Sequence, residues 1–564
     1  MSDISHNMRA EDTPRTLRGQ NRIRLIGMGF GVAFLAISGQ LTKLTLFPKF
    51  EDAKNRIVAA EPLPRPDIVD RNGVLLATDI AVASLYADPS KIIDIDEAIE
   101  LLTATVPEHE AKELRKKLTT KKSLAWLKRQ DSPDERDAVY NLGIPGVGYV
   151  NERRRVYPQG RLAGHVVGYV DVDTKGIAGL EKYLDDQGAI YTASLAQPEE
   201  HRSQPAQMSV DVRVQAALID ELSQAIEKYR AIAAGGIVLD VTTGEVIALV
   251  SLPDFNPNQE KKNFSTAQQN HMTSGVYELG SVIKAVTFAM AFDFGTANLQ
   301  SRYDARFPLV IGNARINDYH AKRRVLTVPE IFTNSSNIGT ARMALDVGIE
   351  RHQAFLRRVG LFDRLQTELP ESARPLLPRH WSRLVTATAA FGHGFAVQPL
   401  QGAAVVAGLL NGGNMMTPTL LKRSREDALA MAQNIVKPNS SEMLRTLFRL
   451  NAVEGTASNA DVIGYRVGGK TGTAEKVVNG RYAKDKRLNS FIGAFPMESP
   501  KYLLLVMLDE PKATPETFGF ATSGWNAVPV AGKIIERIAP MLGIAPVFSA
   551  DDLEKLAKLE KKKR

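Results

Sequence analysis

A lysine inside an apolar helix is the feature that most constrains how this chain folds. The run from Val282 to Met290 is apolar on almost every face, so the helix it predicts belongs in a core rather than on a surface. Lys284 interrupts that run, although lysine is almost never fully buried unless it is paired or used. Ser281 precedes Lys284 by three residues, which predicts that its hydroxyl and the amine share one face at the start of the helix.

This pair has the chemistry of an activated nucleophile. A serine hydroxyl needs an adjacent base, and burial lowers the pKa of a lysine until its neutral amine can act as that base. The positive end of the helix also favours an oxyanion. However, Ser-x-x-Lys has only two fixed positions and occurs by chance about once or twice in a chain of average composition and this length. Taken alone, the pair is therefore either catalytic or coincidental.

A second motif follows at Ser335-Ser336-Asn337. A hydroxyl and an amide two residues apart have the donors and acceptors to hold a peptide substrate. The alternative is a purely structural role, in which an asparagine-rich turn caps a helix. The motif alone does not separate the two.

The third motif is Lys470-Thr471-Gly472-Thr473. Glycine lets a ligand backbone approach a strand, and threonine hydroxyls bind a carboxylate. A phosphate-binding loop is the alternative interpretation, because Gly464 and Gly469-Lys470-Thr471 match its consensus pattern of Gly-x-x-x-x-Gly-Lys-Thr. That loop must open a helix, whereas the residues after Thr473 lead into an Asn479-Gly480 turn and predict one arm of a hairpin.

Length and composition exclude several classes of protein. A chain of 564 residues predicts several domains, and the formal charge of +8 is too mild to indicate a nucleic-acid-binding protein. The absence of cysteine excludes disulfides, thiolate catalysis and cysteine-based zinc sites. The nine histidines show no His-Glu-x-x-His spacing, so we predict no metal and no cofactor.

An apolar stretch near the N-terminus predicts a membrane helix. Residues Leu25 to Thr42 carry no charged side chain and are just long enough to span a bilayer. The residues before it include the basic side chains of Arg9, Arg15, Arg18, Arg22 and Arg24. By the positive-inside rule, the N-terminus stays in the cytoplasm and the rest of the chain lies outside. A cleaved signal peptide is the alternative, but the apolar run continues past the small residues around Ser38, which favours an uncleaved anchor.

The remaining patterns predict an α+β fold. Runs rich in β-branched residues at 236–241 and 246–251 predict a hairpin in an antiparallel sheet, with helices packed on it. Upstream, residues 65–77 predict another hairpin, and 94–105 and 108–118 predict helices. The charged run Arg153 to Arg155 is expected to form a solvated face.

The three motifs in this order are far more specific than any one of them. Together with Arg65–Gly73, Arg155–Pro158, Gly176–Glu181 and Ser490–Gly493, they make the chain resemble a class B penicillin-binding protein, a monofunctional peptidoglycan D,D-transpeptidase. The resemblance runs from the membrane helix to about residue 545. Leu279, Pro66 and His393 stand where the family usually has proline, glycine and tyrosine, and none of them removes a catalytic group.

The resemblance implies a role for each motif residue. Ser281 attacks the D-Ala–D-Ala carbonyl while Lys284 takes its proton, and the amine of a neighbouring stem peptide then attacks the acyl-enzyme. Backbone N–H groups of Ser281 and Thr473 form the oxyanion hole. Ser335 relays a proton, and Lys470 keeps the site electropositive. The implied substrate-binding residues are Ser335, Asn337, Thr471, Gly472 and Thr473.

The resemblance also implies a place in the cell. The expected partners are peptidoglycan stem peptides, β-lactams as covalent inhibitors, a glycosyltransferase and other membrane proteins of the division complex. The arginine-rich tail, the short pedestal and residues 470–494 resemble the septal branch, so we expect an inner-membrane protein at the division site. The expected order is cytoplasmic tail (1–24), membrane anchor (25–45), non-catalytic pedestal (46–205), transpeptidase domain (206–545) and charged C-terminal tail (546–564).

Three other functions stay open at this point. An elongation-specific transpeptidase would carry the same motifs. A serine β-lactamase or D,D-carboxypeptidase would share them too, but it would need neither the anchor nor the large pedestal. A structural division protein with a vestigial site is the non-enzyme alternative, although such a site would not be expected to keep all three motifs.

Overall fold

The computed structural model describes residues 14–46, 65–106, 110–120, 124–131, 133–188, 204–259, 266–478, 480–550 and 552–554. The chain divides into two compact units, of which the first comprises Met1–Pro62 with Val82–Glu152 and the second Leu63–Ala81 with Arg153–Arg564.

In chain order, the helices are α1 (Pro14–Leu46), α2 (Ile95–Thr105), α3 (Ala111–Leu118), α4 (Pro133–Tyr140), α5 (Gly164–Val167), α6 (Gly179–Asp186), α7 (Val212–Tyr229), α8 (Lys284–Asp293), α9 (Val328–Thr333), α10 (Asn337–Val347), α11 (Ile349–Arg358), α12 (Arg383–Ala389), α13 (Pro399–Leu410), α14 (Arg425–Ala430), α15 (Pro438–Glu454) and α16 (Ala527–Met541). The strands are β1 (Ile68–Val69), β2 (Leu75–Ala87), β3 (Ala125–Asp131), β4 (Val147–Val156), β5 (Tyr169–Val170), β6 (Gly176–Ala178), β7 (Ala206–Gln207), β8 (Ala233–Asp240), β9 (Val246–Leu252), β10 (Arg302–Asp304), β11 (Leu309–Ile311), β12 (Ala314–Ile316), β13 (Val325–Thr327), β14 (Asn414–Met415), β15 (Gln433–Asn434), β16 (Gly468–Val478), β17 (Arg481–Phe495) and β18 (Tyr502–Asp509).

The first unit contains the predicted membrane helix. Within α1, the 18 residues Leu25–Thr42 are long and apolar enough to cross a bilayer, and no other helix among the described residues meets that criterion. Large side chains such as Phe30 and Phe34 are exposed along it, as expected of a helix whose solvent is lipid. The alternative of a signal peptide rests on the same length and composition, which do not distinguish the two.

The two helices predicted for the first unit are confirmed. The helix α2 begins one residue later than expected because Asp94 is its N-cap, accepting hydrogen bonds from the backbone N–H groups of Asp96 and Glu97. Leu102 and Leu114, from α2 and α3, meet Leu127 of β3 in one apolar core. The residues 107–109 between the two helices lie outside the described part of the chain.

The second unit opens with the predicted hairpin and a buried ionic cluster. Strands β1 and β2 pair in antiparallel fashion around the turn at 70–74. The expectation of a solvated face was wrong for Arg155, whose side chain is fully buried and binds Glu181 at 2.6 Å and Asp79 at 3.1 Å. The physical reason is that alternate side chains of a strand point to opposite faces, so Arg154 is exposed while Arg155 enters the core.

An antiparallel sheet organises the rest of the second unit. Its five strands lie in the order β16-β17-β18-β8-β9, so β16 is an outer strand. One face packs on α7 and α16 and the other on α8, α13 and α15. The alternation of side chains along β8 explains why both faces are apolar. Val238 points into the core under α7 and α16, whereas its neighbours Ile237 and Leu239 point into the core under α8, α13 and α15. The predicted α+β class is confirmed.

The buried cluster predicts a measurable loss of stability in one variant. Replacing Arg155 by Met leaves the Glu181 carboxylate buried beside fewer cations, and such a break costs about 3–5 kcal/mol. We expect a clearly lower midpoint in thermal denaturation of the full chain. The exposed neighbour provides the control, since Arg154→Met should change stability by less than about 0.5 kcal/mol. Equal melting of both variants and the parent would contradict a stabilising role for the cluster.

Candidate active site

The segment that carries Ser281 is a tight turn leading into a buried helix. Residues Gly280–Ile283 form a 3-10 turn, and α8 continues from Lys284 with every residue to Asp293 buried. Ser281 is half-buried and lies in the turn rather than in the α-helix that was expected. In a 3-10 turn residues three apart eclipse one another, so the predicted shared face of Ser281 and Lys284 is kept.

Glycines allow the turn to be packed from two sides. A Cβ at Gly392, where φ is +81°, would lie 2.2 Å from the carbonyl oxygen of Gly280. A Cβ at Gly472 would lie 2.8 Å from the carbonyl oxygen of Leu279. Neither position has room for a side chain, because heavy atoms do not approach so closely. The backbone just before Ser281 is therefore held against the 392–394 turn and against strand β16.

The Ser335 segment caps a helix and also presents a hydroxyl. Ser336 is the N-cap of α10, its hydroxyl accepting from the N–H of Gly339. Asp318 fixes this end of the helix by accepting from the Ser336 hydroxyl at 2.7 Å and the Ile338 N–H at 2.9 Å. Ser335 has a φ of +54°, a left-handed conformation that costs energy in a residue with a side chain. The two sequence interpretations of this motif are thus both compatible with the structure.

Two buried lysines meet at the Ser335 hydroxyl. The Lys284 amine donates to Ser335 Oγ at 3.0 Å and to the Ser335 carbonyl oxygen at 2.5 Å. The Lys470 amine, from β16, donates to the same Oγ at 3.0 Å. Both lysine side chains are fully buried. A serine oxygen has two acceptor lone pairs, so with two amines donating to it the hydroxyl hydrogen is available to a third partner.

Burial sets the protonation of both amines. Burial lowers the pKa of Lys284 well below its usual value, the positive charge of Lys470 lowers it further, and the Asp318 carboxylate acts in the opposite direction. Burial also lowers the pKa of Lys470, to about 7. This lowered pKa shifts Lys284 toward the neutral amine relative to an exposed lysine, and the neutral amine is the form able to accept a proton.

Strand β16 places the third motif beside the other two. Thr471 shares a hydrogen bond of 2.9 Å with Thr456, and the Thr473 hydroxyl accepts from the N–H of Ser523 at 3.3 Å. Lys470 lies inside a strand that runs to Val478 and is followed after Gly480 by another strand. The phosphate-loop interpretation was therefore wrong, because no helix opens after the lysine. Residue 479 lies outside the described part of the chain.

The structure brings most of the predicted residues to one place. Lys284 and Lys470 both contact the Ser335 hydroxyl, and Ser281 lies in the 3-10 turn that leads directly into Lys284. The backbone of Thr473 lies beside Gly280, since a Cβ on that glycine would be 3.3 Å from the Thr473 carbonyl oxygen. Asn337 begins α10, and its side-chain amide donates to the Asn317 carbonyl at 3.3 Å.

Sequence reasoning assigned no role in the site to the groups that shape its rim. The Glu278 carboxylate accepts from the Gly394 N–H at 2.9 Å and from the Tyr482 hydroxyl at 3.1 Å. The ring of His393 packs against that of Tyr482, with 5.7 Å between the centroids. Glu278, the pair at 393–394 and Tyr482 are far apart in the chain and follow no spacing rule. The available signals were the proximity of Glu278 to Ser281 and the position of His393 between two glycines.

Comparison with known proteins identifies the family. Residues 234–536 match the penicillin binding protein transpeptidase domain, and residues 60–189 match the penicillin-binding protein dimerisation domain. Over 532 residues the chain is 39% identical to the probable peptidoglycan D,D-transpeptidase FtsI of Caulobacter vibrioides, covering 93% of this chain and 89% of that protein. It is 32% identical to the probable peptidoglycan D,D-transpeptidase PenA of Neisseria gonorrhoeae, covering 95% of each. It is 28% identical to the peptidoglycan D,D-transpeptidase FtsI of Escherichia coli, covering 90% of this chain and 88% of that protein.

The chain belongs to the penicillin-binding protein family, with a dimerisation region followed by a transpeptidase domain. The resemblance, the fold class and the enzyme class inferred from the sequence, a peptidoglycan D,D-transpeptidase, are confirmed. Peptidoglycan as substrate and binding of β-lactams follow from membership of this family.

Opposite charges near Lys284 predict opposite shifts of the pH profile. Acylation needs the neutral amine, so its rate rises with pH through the pKa of Lys284. Lys470→Met removes a positive charge and should move this rise to higher pH, whereas Asp318→Asn removes a negative charge and should move it to lower pH. The measurement is the second-order rate constant for benzylpenicillin acylation across pH. Glu426→Gln, at an exposed site on α14, should leave the profile in place, and shifts in the same direction for both test variants would refute the assignment.

Proposed function

We propose that this chain cross-links peptidoglycan at the division septum by a serine acyl-enzyme mechanism, with Ser281 as the nucleophile. The observation that carries the proposal is the Ser335 hydroxyl, 3.0 Å from each of two fully buried amines, next to the turn that presents Ser281. Apolar residues would fill this part of the core better than two buried lysines, so packing alone does not explain the lysines. Their convergence on one hydroxyl supports a role in proton transfer.

In the acylation step, the Ser281 oxygen attacks the carbonyl of the D-Ala–D-Ala bond and its proton passes to the neutral Lys284 amine. A tetrahedral intermediate forms, and its oxyanion is held by the backbone N–H groups of Ser281 and Thr473. The packing of Gly280 against Thr473 supports this assignment, since it brings the two backbone segments together. The start of α8 adds the favourable end of a helix dipole.

Breakdown of the intermediate requires a proton on the departing amine. The proton taken by Lys284 travels along its hydrogen bond to Ser335, whose own hydrogen is donated to the nitrogen of the terminal D-Ala. The C–N bond breaks, D-Ala leaves, and the acyl group stays on Ser281. The positive charge of Lys470 stabilises the anionic oxygen that Ser335 transiently bears.

Substrate binding is assigned to the remaining motif residues. Thr471 and Thr473 bind the terminal carboxylate, and Gly472 lets the peptide backbone approach β16. Asn337 holds a substrate amide. In the second half-reaction the amine of a neighbouring stem peptide attacks the acyl-enzyme, the new peptide bond forms and Ser281 is released with its proton returned.

The membrane anchor, the orientation of the chain and its partners are also part of this proposal. The apolar part of α1 acts as a single-pass anchor in the inner membrane, with the basic N-terminus in the cytoplasm and the catalytic domain outside. A glycosyltransferase and other membrane proteins of the division complex are the proposed partners. The pedestal at 46–205 and the transpeptidase domain at 206–545 stay predictions, as does the C-terminal tail, most of which lies outside the described residues.

The first test is the mass of the intact protein after incubation with benzylpenicillin. We expect one stable penicilloyl adduct on the full chain in detergent, because a transpeptidase deacylates slowly toward water. Ser281→Ala should give no adduct, and Lys284→Ala should acylate at least about a hundredfold more slowly, the usual contribution of a general base.

Other results would point to other functions. Hydrolysed drug without an adduct would favour a β-lactamase, whereas intact drug without an adduct would favour a structural protein. A Lys284→Ala variant that acylates at the parent rate would exclude that lysine as the base.

The division role has its own test. A fluorescent fusion of the full chain should gather at midcell in dividing cells and leave that position once the septum closes. Depletion should yield filaments, since septal wall synthesis stops while elongation continues. Fluorescence spread along the side wall, with rounded cells on depletion, would instead identify an elongation enzyme.

A further inference from the structure

A cleft of about 530 Å³ adjoins the proposed catalytic residues along β16. Its apolar wall includes Leu376, Leu377 and Phe395, and its strand side is formed by residues 474–477. Two carboxylates, Glu278 and Glu475, also line it. A site of this size with apolar walls and a few polar groups suits one extended side chain and the adjoining backbone of a ligand.

The position of the cleft identifies which part of a substrate reaches it. Because β16 is an outer strand, an extended peptide can align with it. With its carboxylate at Thr471 and Thr473, a donor peptide runs antiparallel to β16, and each residue advances about 3.4 Å along the strand. The residue before the D-Ala–D-Ala unit then lies beside Ala474 and Glu475, at the cleft.

The charges around the cleft favour a cationic side chain. The Glu278 carboxylate is fixed by hydrogen bonds from Gly394 and Tyr482, and Glu475 is half-buried on the strand. Lys476 also lines the cleft, but its amine binds Asp509 at 2.9 Å and Glu510 at 3.0 Å. Both glutamates lie close enough to Tyr482 to affect its ionisation. Burial is the main cause of the raised pKa of Tyr482, and the negative charges of Glu278 and Glu475 raise that pKa further.

Two further groups face this region. Arg487 lies directly opposite Glu475 in the register of β16 and β17, and cross-strand neighbours of opposite charge attract each other. His393, packed against Tyr482, has its pKa lowered chiefly by burial, which favours the neutral ring. Among the residues that the structure describes, Arg487 is therefore the cross-strand cation expected to compete with a ligand for Glu475.

We propose that this cleft receives the side chain preceding D-Ala–D-Ala in the donor peptide, and that Glu475 selects a side chain ending in a primary amine. This inference rests on the proposed transpeptidase function and adds a specificity-determining residue to it. The apolar walls hold the methylene stem, and the carboxylate binds the ammonium group by a charge-assisted hydrogen bond.

The test compares two synthetic pentapeptides that end in D-Ala–D-Ala and differ only at the third residue, lysine in one and norleucine in the other. Release of D-Ala by the full chain in detergent gives kcat/KM for each. Because kcat/KM covers only the steps up to that release, it does not depend on the acceptor. We expect the parent to prefer the lysine peptide by at least about tenfold, the lower end of what a hydrogen bond to a charged group contributes.

Matched variants locate the source of the preference. Glu475→Gln keeps the shape of the side chain and should bring the ratio close to one. Glu426→Gln removes an exposed carboxylate from α14 and should keep the parent ratio. Arg487→Gln should keep or raise the ratio, because it removes the competing cation.

The outcomes separate this inference from the proposed function. A parent that forms the penicilloyl adduct and releases D-Ala, but with equal kcat/KM for both peptides, would overturn the role of the cleft alone. A preference that survives in Glu475→Gln would overturn the role of Glu475. A parent that neither forms the adduct nor releases D-Ala would instead refute the transpeptidase mechanism itself.

Discussion

Lys284 and Lys470 each bring a fully buried amine to within 3.0 Å of the Ser335 hydroxyl, and this contact governs the structure around it. An ammonium ion taken out of water costs several kcal/mol, so the core accommodates these amines by lowering their pKa and by giving them hydrogen-bond acceptors. Their position depends on three elements that are distant in the chain. Helix α8, the left-handed residue at 335 and strand β16 must all be placed before the site exists.

The surrounding fold serves to fix those three elements. The sheet pairs β16 with β17 from Gly468 to Val478, with one register shift between Glu475 and Lys476, and α8 is buried along every residue. Glycines at 392 and 472 let neighbouring backbone lie against the turn before Ser281 without a side chain between them. Asp318 holds the start of α10 and also acts on the charge of Lys284, so the same carboxylate contributes to shape and to protonation. Stability and catalytic geometry are therefore coupled at this point.

Local patterns predicted the elements well and their surroundings less well. The apolar run around Lys284, the hairpin of β8 and β9 and the strand character of Lys470 followed from composition and turn chemistry. The environment of Arg155 did not, because three consecutive arginines look alike until a strand turns one of them into the core. Glu278 was missed for a related reason, since its partners Gly394 and Tyr482 lie more than a hundred residues away in sequence.

The sequence by itself determined the family, the α+β class and the three motifs, because spacing within a turn or strand is a local property that single residues reveal. Only the tertiary structure decided that both amines converge on the hydroxyl of Ser335, and that a cleft with two carboxylates extends the site along β16. Distances between distant segments and the loss of solvent around a charge depend on the packing of the whole unit. No stretch of sequence contains that information on its own.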